Sequence, residues 1–137
     1  MDAEDRIREM YRANSVGPIE DVEAQLSPDC VMYDTNVPPV RGGRAIAEAV
    51  VQIREQWGGA EWTIGSLVST GNHVAVEWKM TGIQSGSPIT LHGSDHYWVD
   101  DLCKVSEIHQ YWVFNRKSAS SGLLGYDAHA GDLNVEG

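Results

Sequence analysis

Apolar positions recur at helical spacing through the first part of this chain and at strand spacing through the rest. Over residues 4 to 14, Ile7, Met10, Tyr11 and Asn14 fall on one face at intervals of three and four, behind an acidic first turn that complements the helix dipole. Gly17-Pro18 ends that helix, and Ile19, Val22 and Leu26 mark a short second one stopped by Ser27-Pro28-Asp29. Cys30 to Thr35 reads as a short strand that enters an irregular Asn36-Val37-Pro38-Pro39 loop. A third helix follows Gly42-Gly43 and runs to about Trp57, with Ala45, Ile46, Ala49, Val50, Ile53 and Trp57 on its buried stripe. The period then drops to two. Trp62 to Ser69 and Val74 to Thr81 read as strands joined at Thr70-Gly71-Asn72, and Ile89 to Val99 and Lys104 to Phe114 as a hairpin turning at Asp100 to Cys103.

Pairing within that last hairpin assigns its faces. A turn centred between Asp101 and Leu102 sets Tyr97 opposite Ser106, Asp95 opposite Ile108, Gly93 opposite Gln110 and Leu91 opposite Trp112. Opposed residues share a face, so Leu91, Gly93, Asp95, Tyr97, Ile108, Gln110 and Trp112 belong together. The other face collects His92, Ser94, His96, Trp98, Val105, Glu107, His109, Tyr111 and Val113, more large apolar groups than a monomer ordinarily leaves in water. A homodimer through this outer face is expected. Helices first and long antiparallel strands afterwards make an α+β protein, with three N-terminal helices on one face of a curved antiparallel sheet. Residues 1–115 are read as a single domain, and the Ser-, Gly- and Ala-rich stretch of residues 116–137 as a loosely ordered tail.

Charge narrows the partners. At a formal net charge of -10 the chain would be repelled by nucleic acid and by anionic membrane, so neither is expected as a partner. The acidic Met1-Asp2-Ala3-Glu4-Asp5 start is unlike a signal peptide, and no apolar run approaches the roughly 18 residues of a membrane span; a cytoplasmic protein is expected. Cys30 and Cys103 have neither metal-ligand spacing nor a disulfide-rich setting, and read as reduced thiols. His92 and His96 share a strand face but sit roughly 13 Å apart, too far to chelate one ion, so no metal site is expected.

Two carboxylates carry the candidate chemistry. Asp34 follows Met32-Tyr33 at a strand end, and Asp95 lies inside Gly93-Ser94-Asp95-His96-Tyr97-Trp98; each sits among apolar and aromatic neighbours, where charge is costly and a shifted pKa is expected. The pair suits acid/base work on a small apolar molecule. Each residue also has a structural reading. Asp34 could cap the Pro loop through its neighbours' N–H groups, Asp95 and Gln110 could satisfy buried polar groups, and Tyr11, Tyr33 and Tyr97 could be core residues with bonded hydroxyls. Trp78 and Met80, in line with Val74 and Val76, are core or pocket wall.

The order of helices, strand, helix and strand meander resembles the cone-shaped, cystatin-like α+β barrel of the nuclear transport factor two superfamily. That superfamily includes ketosteroid isomerases, scytalone dehydratase, limonene epoxide hydrolase and SnoaL-like polyketide cyclases. Within it, Asp95-His96-Tyr97 resembles the Asp-His-Phe of bacterial ketosteroid isomerases, and the interval from Gly17 to Asp34 matches that family's spacing to its general base. The resemblance implies Asp34 as base, Asp95 as a protonated oxyanion donor, Tyr11 as an assisting phenol and Trp112 as an aromatic wall. A carboxylic acid kept neutral in an apolar site is the known device of that isomerase. It also implies a cofactor-independent enzyme, with Tyr33, Trp78, Met80, Tyr97, Ile108, Gln110 and Trp112 around an apolar cyclic or polycyclic substrate. The family's oxyanion tyrosine is one to three residues out of register with Tyr11, and its supporting tyrosine falls at Val50. Met32-Tyr33 and Val37-Pro38-Pro39-Val40-Arg41-Gly42 resemble the epoxide hydrolase instead, but that enzyme's Arg-x-Asp falls at Trp78-Lys79-Met80. Its second aspartate, like the acid of the SnoaL-like cyclases, falls at Gln110. A dehydratase, cyclase or epoxide hydrolase is therefore the enzymatic alternative, and a small-molecule binding or interaction module the non-catalytic one.

Overall fold

The computed structural model describes residues 1–113. Helix α1 (Ala3–Val16) starts at a reciprocal cap, in which Asp2 accepts from the Asp5 N–H at 2.8 Å and Asp5 accepts from the Asp2 N–H at 3.2 Å. Its buried face is Ile7, Met10, Tyr11 and Ala13. Helix α2 (Ile19–Glu23) is one short turn after Pro18, and α3 spans Gly43–Gln56. The stripe expected on α3 is rotated: Ile46 and Ala47 are buried, while Ala45 and Ile53 face solvent. The cause is that α3 packs on α2 and β1, joining Ala47 to Ala13 and Val22 in a second small core. Arg54 donates to the Ala13 and Asn14 carbonyls, supplying the positive charge that the last turn of α1 lacks. No helix among the described residues is long and apolar enough to cross a membrane.

Among the described residues six strands form one open sheet in the order β2-β1-β6-β5-β4-β3, with β1 at Leu26–Asp34, β2 at Val40–Arg41, β3 at Glu61–Thr70, β4 at His73–Gln84, β5 at Ser87–Val99 and β6 at Val105–Trp112. The sheet is mixed rather than wholly antiparallel, because β1 runs parallel to β6. Strand β1 begins at Leu26, four residues earlier than its sequence suggests. Pro28 is tolerated because the register is irregular between Leu26 and Val31. Strands β4 and β5 are longer than expected and meet in a two-residue turn, Ser85-Gly86, with φ of 51° and 80°. The expected end of the last strand at Phe114, the domain boundary at 115 and the tail lie outside the described residues.

Alternation sets the core on the concave face. Val74, Val76, Trp78 and Met80 of β4 face inward with Leu91, Asp95, Tyr97 and Val99 of β5, Ile108 of β6, and Cys30 and Met32 of β1. The β5–β6 register differs from expectation by two residues: Asp95 pairs with Gln110, Tyr97 with Ile108 and Gly93 with Trp112. A shift of two leaves every residue on its expected face, so the inner set survives the error. Val105 does not. A bulge beside Ser106 turns it inward opposite Val99, fully buried.

Candidate active site

Three rows of inward side chains cross the sheet. Val74, Tyr97, Ile108 and Met32 form the deepest; Val76, Asp95, Gln110 and Asp34 form the next; Trp78, Gly93 and Trp112 form the third. Asp95 and Asp34 therefore share a row on either side of Gln110, about 10 Å apart at their Cα atoms by strand spacing. Met80, opposite Leu91, continues the apolar wall beyond Trp78.

Each carboxylate is held by an indole. Trp78 Nε1 donates to Asp95 Oδ1 at 2.9 Å, and Trp112 Nε1 donates to Asp34 Oδ2 at 3.0 Å. The two tryptophans flank Gly93 on neighbouring strands, and each leans diagonally into the carboxylate row. The other oxygen of Asp95 accepts from the Tyr97 hydroxyl at 2.7 Å, and Tyr97 is itself 2.7 Å from the Tyr11 hydroxyl on α1. The two phenol rings meet edge to face with centroids 6.1 Å apart. Helix α1 thus reaches the sheet carboxyl through a buried chain of two hydroxyls.

The two acids live in different surroundings. Asp95 is only 4% exposed, and burial pushes its carboxyl up to about 7; the N–H of Trp78, the O–H of Tyr97 and the backbone N–H of Tyr111 oppose the rise, and the charge of Asp34 adds to it. Burial also raises both phenols well above their usual range, with the negative charge of Asp95 acting in the same direction, so Tyr11 and Tyr97 remain hydroxyl donors at working pH. Asp34 is half-buried. Its Oδ1 accepts from the Asn36 backbone N–H at 2.6 Å, the local turn bond expected of a strand-end aspartate, while Oδ2 faces Trp112. Thr35 Oγ1 donates to the Trp112 carbonyl at 2.7 Å, so the Asp34 and Trp112 backbones are tied at the same end of the sheet.

Tyr11, Tyr97, Trp78, Asp95, Gln110, Asp34 and Trp112 are therefore brought together, with Met80 and Ile108 as apolar walls. Tyr33 is not. It points to the outer face, where its ring meets His109 edge-on at 5.4 Å. A groove of about 400 Å³ opens there beside the ends of β1 and β6, with Tyr33, His109 and Tyr111 in its lining together with Asp34 and Gln110. Gly93 lies on its expected inner face, and a glycine inside a strand signals close approach. A Cβ on it would lie 2.2 Å from the Trp78 ring. Among the described residues no group of three or more His, Cys, Asp or Glu is arranged to hold a metal. Cys30 is buried, with its thiol pushed up to about 12 chiefly by burial.

A family model described as the SnoaL-like domain matches residues 7–108. No curated protein matches the sequence. Among solved structures, a hypothetical protein from Catenulispora acidiphila with a ketosteroid isomerase-like fold, in complex with trimethylamine, superposes with a TM-score of 0.72 at 13% identity, covering 83% of this chain and 88% of that one. A protein of unknown function with a cystatin-like fold, from Methylobium petroleophilum, gives 0.72 at 21% identity over 90% and 80% of the two chains. A protein from Sinorhizobium meliloti, named as a polyketide cyclase, gives 0.65 at 19% identity over 77% and 93%. At these identities the structures speak for the fold alone.

Proposed function

The chain belongs to the SnoaL-like domain family, within the nuclear transport factor two-like superfamily, and from that membership we propose that it is an acid/base enzyme for a small apolar cyclic or polycyclic molecule, of the isomerase type. Its reaction moves a proton between carbons. Asp34, partly open to solvent, takes the proton from a C–H beside a carbonyl; Asp95, neutral in its apolar setting, and the Tyr97 and Tyr11 hydroxyls stabilise the negative charge that develops on the oxygen. The observation that carries the reading is the Asp95 carboxyl, almost fully buried yet at the end of a chain of two hydroxyls and raised to about 7.

The test is the conversion of a cyclic β,γ-unsaturated ketone to its conjugated isomer, followed by ultraviolet absorbance. The native protein is expected to catalyse it, and Asp95→Ala to slow it by about a hundredfold, the roughly 3 kcal/mol that one oxyanion donor supplies. An Asp95→Ala protein as fast as the native one would remove Asp95 from the chemistry.

The outer face supports a homodimer. Tyr111 and Val113 are 52% and 71% exposed, and beside them Trp98 stacks on His73 at 4.7 Å and packs on His109 at 4.5 Å, a ready-made aromatic surface. Sedimentation equilibrium at micromolar concentration should return about twice the 15.1 kDa of one chain, and Trp98→Lys should shift it toward monomer. A single species of one-chain mass would reject the dimer.

A further inference from the structure

We propose that Trp78 is a positioning residue for Asp95: its indole N–H claims Oδ1 and leaves Oδ2 to carry the acid's proton, which is thereby directed into the Tyr97–Tyr11 hydroxyl chain. The inference rests on the acid role proposed for Asp95. An indole nitrogen has a hydrogen to donate and no lone pair to accept with, whereas a phenol hydroxyl can do either. Oδ1, 2.9 Å from Trp78 Nε1, must therefore accept in both protonation states, and the carbonyl oxygen of a neutral acid is its better acceptor. The proton falls to Oδ2, 2.7 Å from Tyr97.

Direction in the chain follows from this. With Asp95 ionised, Tyr11 donates to Tyr97 and Tyr97 to Asp95. With Asp95 protonated, Asp95 donates to Tyr97, Tyr97 turns its hydrogen to Tyr11 at 2.7 Å, and the Tyr11 hydrogen is released for another acceptor, such as a substrate oxygen. No bond other than O–H is remade, and the proton count is unchanged beyond the one that Asp95 holds.

Gly93 makes the placement possible. Trp78 is 4% exposed, and its six-membered ring lies over the Gly93 Cα, where a Cβ would come within 2.2 Å of Cζ2 and 2.5 Å of Cε2. A ring that shallow over the sheet is what lets Nε1 reach one strand across to Asp95. Glycine at 93 and tryptophan at 78 therefore act as one device.

Amide and indole spectra of the intact protein from pH 5 to 9 follow its five tryptophan N–H groups without any activity. The Trp78 indole is expected to titrate with a midpoint near 7, and to stop titrating in Asp95→Asn. In Trp78→Phe the midpoint of Asp95, read from its carboxyl carbon, should rise by about one unit or more, because the anion loses a donor. Gly93→Ala keeps the indole but pushes it off its seat, and should raise the midpoint in the same direction. A flat Trp78 indole, or an Asp95 midpoint unmoved in both variants, overturns the proposal. If both midpoints rise while turnover of the cyclic ketone keeps its native pH profile, Trp78 positions Asp95 and it is the catalytic role of Asp95 that falls.

Discussion

Asp34→Asn is expected to lower turnover of a true substrate by about three powers of ten, within the range that removal of a general base commonly costs, while leaving KM near its native value. Asparagine matches the shape of the carboxylate. Its one amide oxygen can still accept from either the Asn36 N–H or the Trp112 indole, so one of the two bonds that hold residue 34 persists, while Thr35 still ties the strand end to Trp112. What it cannot do is take a proton from carbon. The loss therefore falls on kcat, since binding the ground state asks nothing of the missing basicity. Measured kcat and KM, with a thermal unfolding curve to show that the variant is folded, decide the matter. A folded Asp34→Asn protein within tenfold of native turnover would reduce Asp34 to the turn-forming residue that its bond to Asn36 also describes.

The different settings of the two carboxylates argue for different tasks. Both sit in one row of the sheet, and among the described residues no lysine or arginine shares that row. Asp34 retains access to solvent and can exchange a proton there, as a base that must turn over requires. Asp95 has almost none, and the groups around it, the Trp78 indole, the Tyr97 hydroxyl and the Tyr111 backbone N–H, are hydrogen-bond donors. A single substrate lying across Gln110 would meet a proton acceptor at one end and hydrogen-bond donors at the other.

Much of this arrangement was legible in the alternation of β4, β5 and β6, because side chains repeat every two residues and the pairing error in the last hairpin was also two. Asp95, Gln110, Tyr97 and Trp112 fell on one face whichever register was chosen. What failed depended on contacts far apart in sequence. The parallel pairing of β1 with β6 joins segments more than 70 residues apart, and no local pattern announces it. The orientation of α3 was decided by Ala13 and Val22 rather than by its own stripe. Tyr33 entered the expected site through the family resemblance, although adjacent residues of a strand face opposite ways and Asp34 already takes the inner one. The roles of the two indole N–H groups were hidden for another reason: tryptophan reads as apolar bulk in any hydrophobic pattern, and its single donor acquires meaning only when a carboxylate lies within reach.

Asp95 should also make the protein less stable as pH rises from 4 to 7. Its carboxyl titrates near 3.8 when unfolded and is raised to about 7 in the fold. Between those values the folded chain holds a proton that the unfolded chain has released, so unfolding gives up that proton and becomes easier with each increment of pH. The contribution of neutral Asp95 is fully present below 3.8 and is lost once the pH passes about 7, a total on the order of 4 kcal/mol. Asp95→Asn removes the titration while keeping the hydrogen bonds: its oxygen accepts from Trp78 and its amide donates to Tyr97, which then donates to Tyr11. All other ionisable groups are common to both proteins, so they cancel in the comparison. Urea denaturation at pH 5 and pH 8 should therefore show native stability falling by about 2.5 kcal/mol more than that of Asp95→Asn, the share of the total that lies above pH 5, with the variant the more stable of the two at pH 8. Parallel pH dependence in the two proteins would mean that Asp95 ionises near its ordinary value inside the fold, and a carboxyl already charged at pH 5 could not serve as the neutral donor at the end of the tyrosine chain.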